Sequence, residues 1–214
     1  MRLRTWIVLA CAALPLAAFA GAYDDFFKAV KFNDAAEVQT LLAKGFDPNA
    51  VEEERGETGL MQALRENSMK VVRVLLKSPD VDLEAKAHNG DTALMIAAYK
   101  GNLEAVKALL ERGAQVNRPG WTALHYAATS GGNDIVQLLL DHSAYIDAES
   151  PNKTTPLMMA ARSGRIMTVK LLLDEGADPT LKNTLGMTAI DFAEKGGFTD
   201  IAEGLAYRIA RAKR

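Results

Sequence analysis

The chain is expected to form an all-α solenoid, a row of helix pairs stacked side by side. Two observations point there. Variants of one phrase, Thr-x-Leu-x-x-Ala, begin at Thr58, Thr92, Thr122, Thr155 and Thr188. Their spacings are 34, 30, 33 and 33 residues, and a fixed period near 33 marks an array of like units rather than one wound core. The glycines agree with this, being spread at turn positions instead of gathered in one loop.

The first twenty residues belong to a different class. Arg2 and Arg4 make a positive start, Trp6 to Leu16 is apolar, and Ala18-Phe19-Ala20 offers small residues before a cut at Gly21. This is the pattern of a secretory signal peptide, too short for a stable membrane span. Cleavage after Ala20 would leave residues 21–214 as a single elongated domain with 23 basic and 27 acidic residues, a charge of −4. Such a surface does not favour bulk binding to nucleic acid. The one cysteine, Cys11, lies inside the leader. Lipidation at Cys11 is not expected, because Val8 stands where leucine is usual and the apolar run continues to Phe19. The exported chain would then lack disulfides, thiolate nucleophiles and Cys-based metal sites, which suits an oxidising compartment.

One unit can be read from Asp91 to Asn117. Thr92 stands where a helix N-cap is needed, and its hydroxyl can accept from a free backbone N–H. Leu94, Ala97 and Ala98 fall on one face of the helix that follows, and the small alanines let a neighbour approach closely. Gly101 ends that helix by adopting a left-handed conformation. Leu103, Val106, Leu109 and Leu110 form the stripe of a second helix, which Gly113 closes. Val116 and Asn117 lead into a turn. Helices of this length are not stable alone, so each stripe needs the next unit.

The run G-x-T-x-L-x-x-A-A-x-x-G, followed by V-x-x-L-L and then G-A, resembles the ankyrin repeat over about residues 24–207. The resemblance implies an L-shaped helix pair per unit with β-hairpin-like loops on one side, and a non-enzymatic protein-binding scaffold. Six repeats are expected, at 24–55, 56–89, 90–119, 120–152, 153–185 and 186–214, the outer two acting as caps. In the first, Asp24 takes the threonine position and is expected to N-cap. In the last, Gly204 falls inside the second helix, and Arg208, Arg211, Lys213 and Arg214 form a basic, solvated end.

Several positions depart from the pattern. Met61, Met95 and Met158 stand where the family often has histidine, and are expected to fill core space; only His125 keeps it, and the resemblance gives it a structural hydrogen bond between neighbouring loops. Asn67 and Ser143 replace turn glycines. Pro79 sits in a loop with one extra residue, and Glu52-Glu53-Glu54 reads as a loop tip. The largest departure is the 30-residue step between Thr92 and Thr122. It shortens the loop Asn117-Arg118-Pro119-Gly120-Trp121 and should leave a notch in the row of loops.

No catalytic, cofactor or metal site is expected. His88, His125 and His142 lack ligand spacing, there is no GxxxxGK[ST] phosphate loop or GxSxG elbow, and no basic patch interleaves with aromatics. The expectation is a monomeric, non-enzymatic scaffold, periplasmic or secreted, without nucleic acid, cofactor or stable membrane insertion as a partner. Two other readings are an immunity-type inhibitor of a secreted toxin and a hydrolase with a groove active site. In ankyrin arrays a partner meets the loop tips and the ends of the first helices. By that resemblance the partner-binding residues are Arg65, Tyr99, Lys100, Trp121, Arg162 and Met187, with Tyr99 and Trp121 as anchors and Arg65 and Arg162 giving polar specificity. Trp121 can instead pack across the shortened loop onto its neighbour.

Overall fold

The structure is a computed structural model and describes residues 16–212. Most of the expected leader, including Arg2, Arg4 and Cys11, lies outside those residues, as do Lys213 and Arg214 of the basic end. The described residues form twelve helices: α1 Leu16–Lys31, α2 Ala35–Ala43, α3 Gly59–Arg65, α4 Met69–Lys77, α5 Ala93–Tyr99, α6 Leu103–Glu111, α7 Ala123–Ser130, α8 Asn133–Asp141, α9 Pro156–Arg162, α10 Ile166–Asp174, α11 Ala189–Gly196 and α12 Thr199–Ala212. Consecutive helices pair, and the pairs stack in two layers. The first helices α1, α3, α5, α7, α9 and α11 each pack on the next, and so do the second helices α2, α4, α6, α8 and α10. None of these helices is long and apolar enough to cross a membrane.

The core is one continuous sheet of apolar side chains between the layers. In the first helices the alanines at the end of the repeated phrase, Ala63, Ala97, Ala127, Ala160 and Ala193, are all fully buried. A larger side chain there would hold the helices apart, so the small residue sets the spacing of the stack. In the second helices Val72, Val106 and Val136, with Leu75, Leu109 and Leu139, supply the matching stripe and are equally buried. Met61, Met95 and Met158 are buried too, at 2% exposure or less. Asn67 and Ser143 adopt the left-handed backbone at φ of 58° and 64°, as stand-ins for the turn glycine must.

Two local expectations are corrected. Asp24 does not cap a helix, because α1 begins at Leu16 and carries Asp24 in its interior. The preceding stretch, LAAFAGAY, is rich in helix-favouring alanine with one glycine, so nothing stops the helix upstream. Thr92 holds the N-cap position with extended backbone, yet its hydroxyl makes no capping hydrogen bond. Elsewhere the threonine hydroxyls accept only over long distances, 3.3 Å at Thr58, 3.4 Å at Thr155 and 3.5 Å at Thr188. These are at or past the edge of good N–H···O geometry. The stronger arm often runs the other way, from the side chain three residues on. Asp191 accepts from the Thr188 backbone N–H at 2.6 Å and from its hydroxyl at 2.7 Å. Met158 and His125 accept from the N–H groups of Thr155 and Thr122 in the same manner.

A second device ties repeat to repeat. One polar side chain in each of the first four exit loops accepts from a backbone N–H of the following repeat. Asn49 accepts from Asp82 at 2.7 Å, Glu84 from Gln115 at 2.8 Å, Asn117 from Tyr145 at 2.8 Å, and Asp147 from Asp178 at 3.2 Å. The four rungs form a ladder along the array. At the far end, Arg208 on α12 pairs with Asp174 on α10 at 2.7 Å, so this member of the basic end also holds the terminal helix in place.

Candidate protein-binding site

The loops that precede the first helices are closed at their bases by backbone hydrogen bonds. These run from Glu52 N–H to Glu57 O at 2.9 Å, Ala87 to Asp91 at 3.0 Å, Ser150 to Thr154 at 3.1 Å and Asn183 to Met187 at 3.0 Å. Neighbouring loops also join, His88 N–H to Arg55 O at 2.8 Å and Thr184 N–H to Asn152 O at 3.0 Å. The shortened loop before α7 has neither kind of bond among the described residues. The row is therefore two bonded pairs of loops with a gap between them. The only β-bridge among the described residues, Val51 with Thr58, lies in the first loop. That loop is folded by Glu52, whose carboxylate accepts from the N–H groups of Glu54, Arg55 and Glu57. Desolvation would raise its pKa, but those bonds and the Arg55 charge together hold it below the usual carboxylate range.

A cavity of about 220 Å³ opens beside the gap, lined by Tyr99, Trp121, His125, Tyr126, Thr129 and Met159. Tyr99 ends α5 and is 52% exposed. Its ring meets Tyr126 edge-on, with centroids 6.1 Å apart. Trp121 is half-buried and stands edge-on to His125, centroids 5.1 Å apart. Tyr126 donates its hydroxyl to Oδ1 of Asp91, and Asn89 donates to the other carboxylate oxygen at 2.7 Å. Burial, and then the bond to Asp91, push the Tyr126 phenol up from its ordinary pKa, so it stays a neutral donor.

His125 is 1% exposed and has two fixed partners. Its Nδ1 accepts from Thr122 N–H at 3.2 Å, which leaves the proton on Nε2. Nε2 then donates to the Thr154 carbonyl at the base of the next loop, at 2.9 Å. Desolvation pulls the imidazole pKa down to about 4 despite the bond to Thr154. This histidine is a neutral structural post and the floor of the cavity.

The six sequence-expected residues have different surroundings. Tyr99 and Trp121 share the cavity. Arg65 makes a forked ion pair with Glu57, a carboxylate only 3% exposed, through Nε at 2.9 Å and 3.1 Å and through Nη2. Its Nε–H and one Nη2–H are spent on that carboxylate. Lys100 is exposed, but lines a separate hollow with Asn67, Met69 and Asn102. Arg162 is exposed at the end of α9. Met187 is half-buried at the last loop base, with the Lys195 amine 3.1 Å from its sulfur. The cavity residues that sequence reasoning passed over are Tyr126 and Met159. Both stand four residues after their repeat's threonine, in a column with Gln62, Ile96 and Phe192, and that column was the available signal.

Comparison with known proteins agrees with the fold. The family model for ankyrin repeats (3 copies) matches residues 26–119, 71–150, 117–183 and 147–212. B-cell lymphoma 3 protein homolog of Mus musculus is 34% identical over 180 residues, covering 81% of this chain and 40% of the relative. Transient receptor potential cation channel subfamily A member 1 of Homo sapiens is 32% identical over 167 residues, covering 72% of this chain and 15% of that protein. Protein fem-1 homolog A-like of Mus musculus is 45% identical over 97 residues, 44% of this chain and 15% of the relative. The chain thus spans well under half the length of these relatives. The overlapping matches together run through all of α2 to α12, and the chain belongs to the ankyrin-repeat family.

Proposed function

We propose that this protein is an exported, non-catalytic scaffold that holds one partner protein at the gap in its loop row. Ankyrin repeats are protein–protein interaction modules, which supports the general class. The observation that carries the particular site is the short loop, which lacks the backbone closure of the other loops and lies beside an aromatic cavity. Tyr and Trp are enriched among residues that dominate binding energy, and Tyr99 and Trp121 stand at the cavity mouth. A leader ending at Ala20 would deliver the scaffold to the periplasm. Cleavage there would remove the start of α1 and leave Gly21–Lys31 to cap the array.

The test is capture from periplasmic extract with the tagged full chain, beside Trp121→Ala and Tyr99→Ala variants whose melting temperatures are measured. A single partner bound by the parent and lost by a variant of unchanged melting supports the reading. A partner retained by both variants overturns the site. Mass spectrometry of the exported protein decides the leader, since cleavage predicts a chain starting at Gly21.

A further inference from the structure

We propose, building on the scaffold reading, that the cavity beside the short loop receives an arginine side chain of the partner. Its volume of about 220 Å³ is below the range of about 300–1,000 Å³ that holds cofactor-sized ligands, and suits one long side chain. Three of its walls, Tyr99, Trp121 and Tyr126, are aromatic. Aromatic faces attract cations through the ring quadrupole, tryptophan most strongly, and arginine is the commoner partner because its planar guanidinium also stacks.

The electrostatic surroundings agree. His125 is neutral and brings no opposing charge. The Asp91 carboxylate lies behind Tyr126, bonded to its hydroxyl, and the field of Arg65 reaches Asp91 as well as its own partner Glu57. Two carboxylates against one guanidinium leave an excess negative charge on the loop side of the cavity. Lys100 and Arg165 stand beside it, and exposed Arg162 ends α9, the helix that carries Met159. Lys100 lines the hollow with Asn67 and Asn102, and Arg165 donates to the Thr129 carbonyl at 3.1 Å. Because the short loop lacks the closure of the others, an extended segment can cross the gap and insert one side chain.

The probes are three peptides, acetyl-Gly-X-Gly-amide, with X as arginine, citrulline or norleucine. Citrulline keeps arginine's size and planarity and removes its charge. Trp6 and Trp121 are the only tryptophans, so emission of the full chain against that of Trp121→Ala isolates the cavity. The arginine peptide is expected to change the emission saturably, at least about tenfold more tightly than the citrulline peptide. Tyr99→Ala should abolish that preference, with melting temperature as the check on folding. Equal or tighter binding of citrulline or norleucine overturns the proposal, as does no saturable response to arginine. Arginine binding that persists in Tyr99→Ala, by calorimetry, also overturns it. These outcomes leave the scaffold reading standing, because that reading falls only if partner capture is indifferent to Trp121 and Tyr99.

Discussion

His125 on α7 donates its Nε2 proton to the carbonyl of Thr154, 2.9 Å away at the base of the next loop. Three other repeats place methionine at this position, and Met158 can still accept from its own cap N–H. Methionine cannot donate onward. His125→Met should therefore keep the packing and leave the Thr154 carbonyl with the Ser150 N–H as its remaining partner. The expected loss is about 0.5–1.5 kcal/mol, the net worth of one hydrogen bond, read by urea unfolding at pH 7.

The same residue predicts a pH dependence. Its pKa is about 4 in the folded chain, and near 6.5 when unfolded. Between those values the unfolded chain binds a proton that the native chain refuses, so stability rises with pH across that window. The contribution is complete above about pH 6.5 and is lost as pH falls toward 4. Between pH 7 and pH 4 the parent should lose up to about 3 kcal/mol more than His125→Met. Parallel losses in matched urea titrations would show that His125 is not held neutral.

Arg65 neutralises a carboxylate that water barely reaches, Glu57 being 3% exposed. Arg65→Ala is expected to cost about 3–5 kcal/mol, because it strands a buried charge. Adding Glu57→Gln should recover much of that loss. A double-mutant cycle by thermal unfolding measures this, and simple additivity would refute the coupling. A binding defect in Arg65→Ala must accordingly be read beside its stability.

Asn117 and Asn49 make equivalent rungs of the inter-repeat ladder, each donating to one backbone carbonyl and accepting from one N–H. Their surroundings differ. The interface at Asn49 is also held by the bond from His88 to Arg55, while the short loop after Asn117 has no such support. Each alanine substitution should cost about 1–2 kcal/mol. Only Asn117→Ala should also lower unfolding cooperativity, since a solenoid splits at its weakest neighbour contact. Denaturant m-values for the two variants decide the point.

Gly164 and Gly101 share a φ of +68°, but a Cβ on Gly164 would fall 2.4 Å from the Phe198 ring, whereas one on Gly101 meets nothing within 4 Å. Gly101→Ala should lose about 1 kcal/mol, from backbone strain. Gly164→Ala should lose roughly 1–3 kcal/mol more, from displacing the ring. Melting temperatures of the pair separate strain from crowding.

The array itself was legible in the residues. The period near 33, the glycine or asparagine turns, the alanine contacts and the buried methionines all follow from spacings of one to four residues inside a unit, which local backbone geometry translates directly. The short loop was also readable, as a missing three residues. Asp24 was misread, since the chain before it keeps forming helix and only the absence of a stop signal reveals that.

Tertiary structure decided what the side chains do. Arg65 looks free in the sequence and is bound to Glu57. The ladder of Asn49, Glu84, Asn117 and Asp147, and the cavity that joins Tyr99 to Tyr126 and Met159, link residues roughly 30 apart. Such pairs depend on how one unit seats against the next. The repeated phrase determined that units of this kind would stack. The stacking determined which polar groups are consumed within the scaffold and which aromatic faces are left open to a partner.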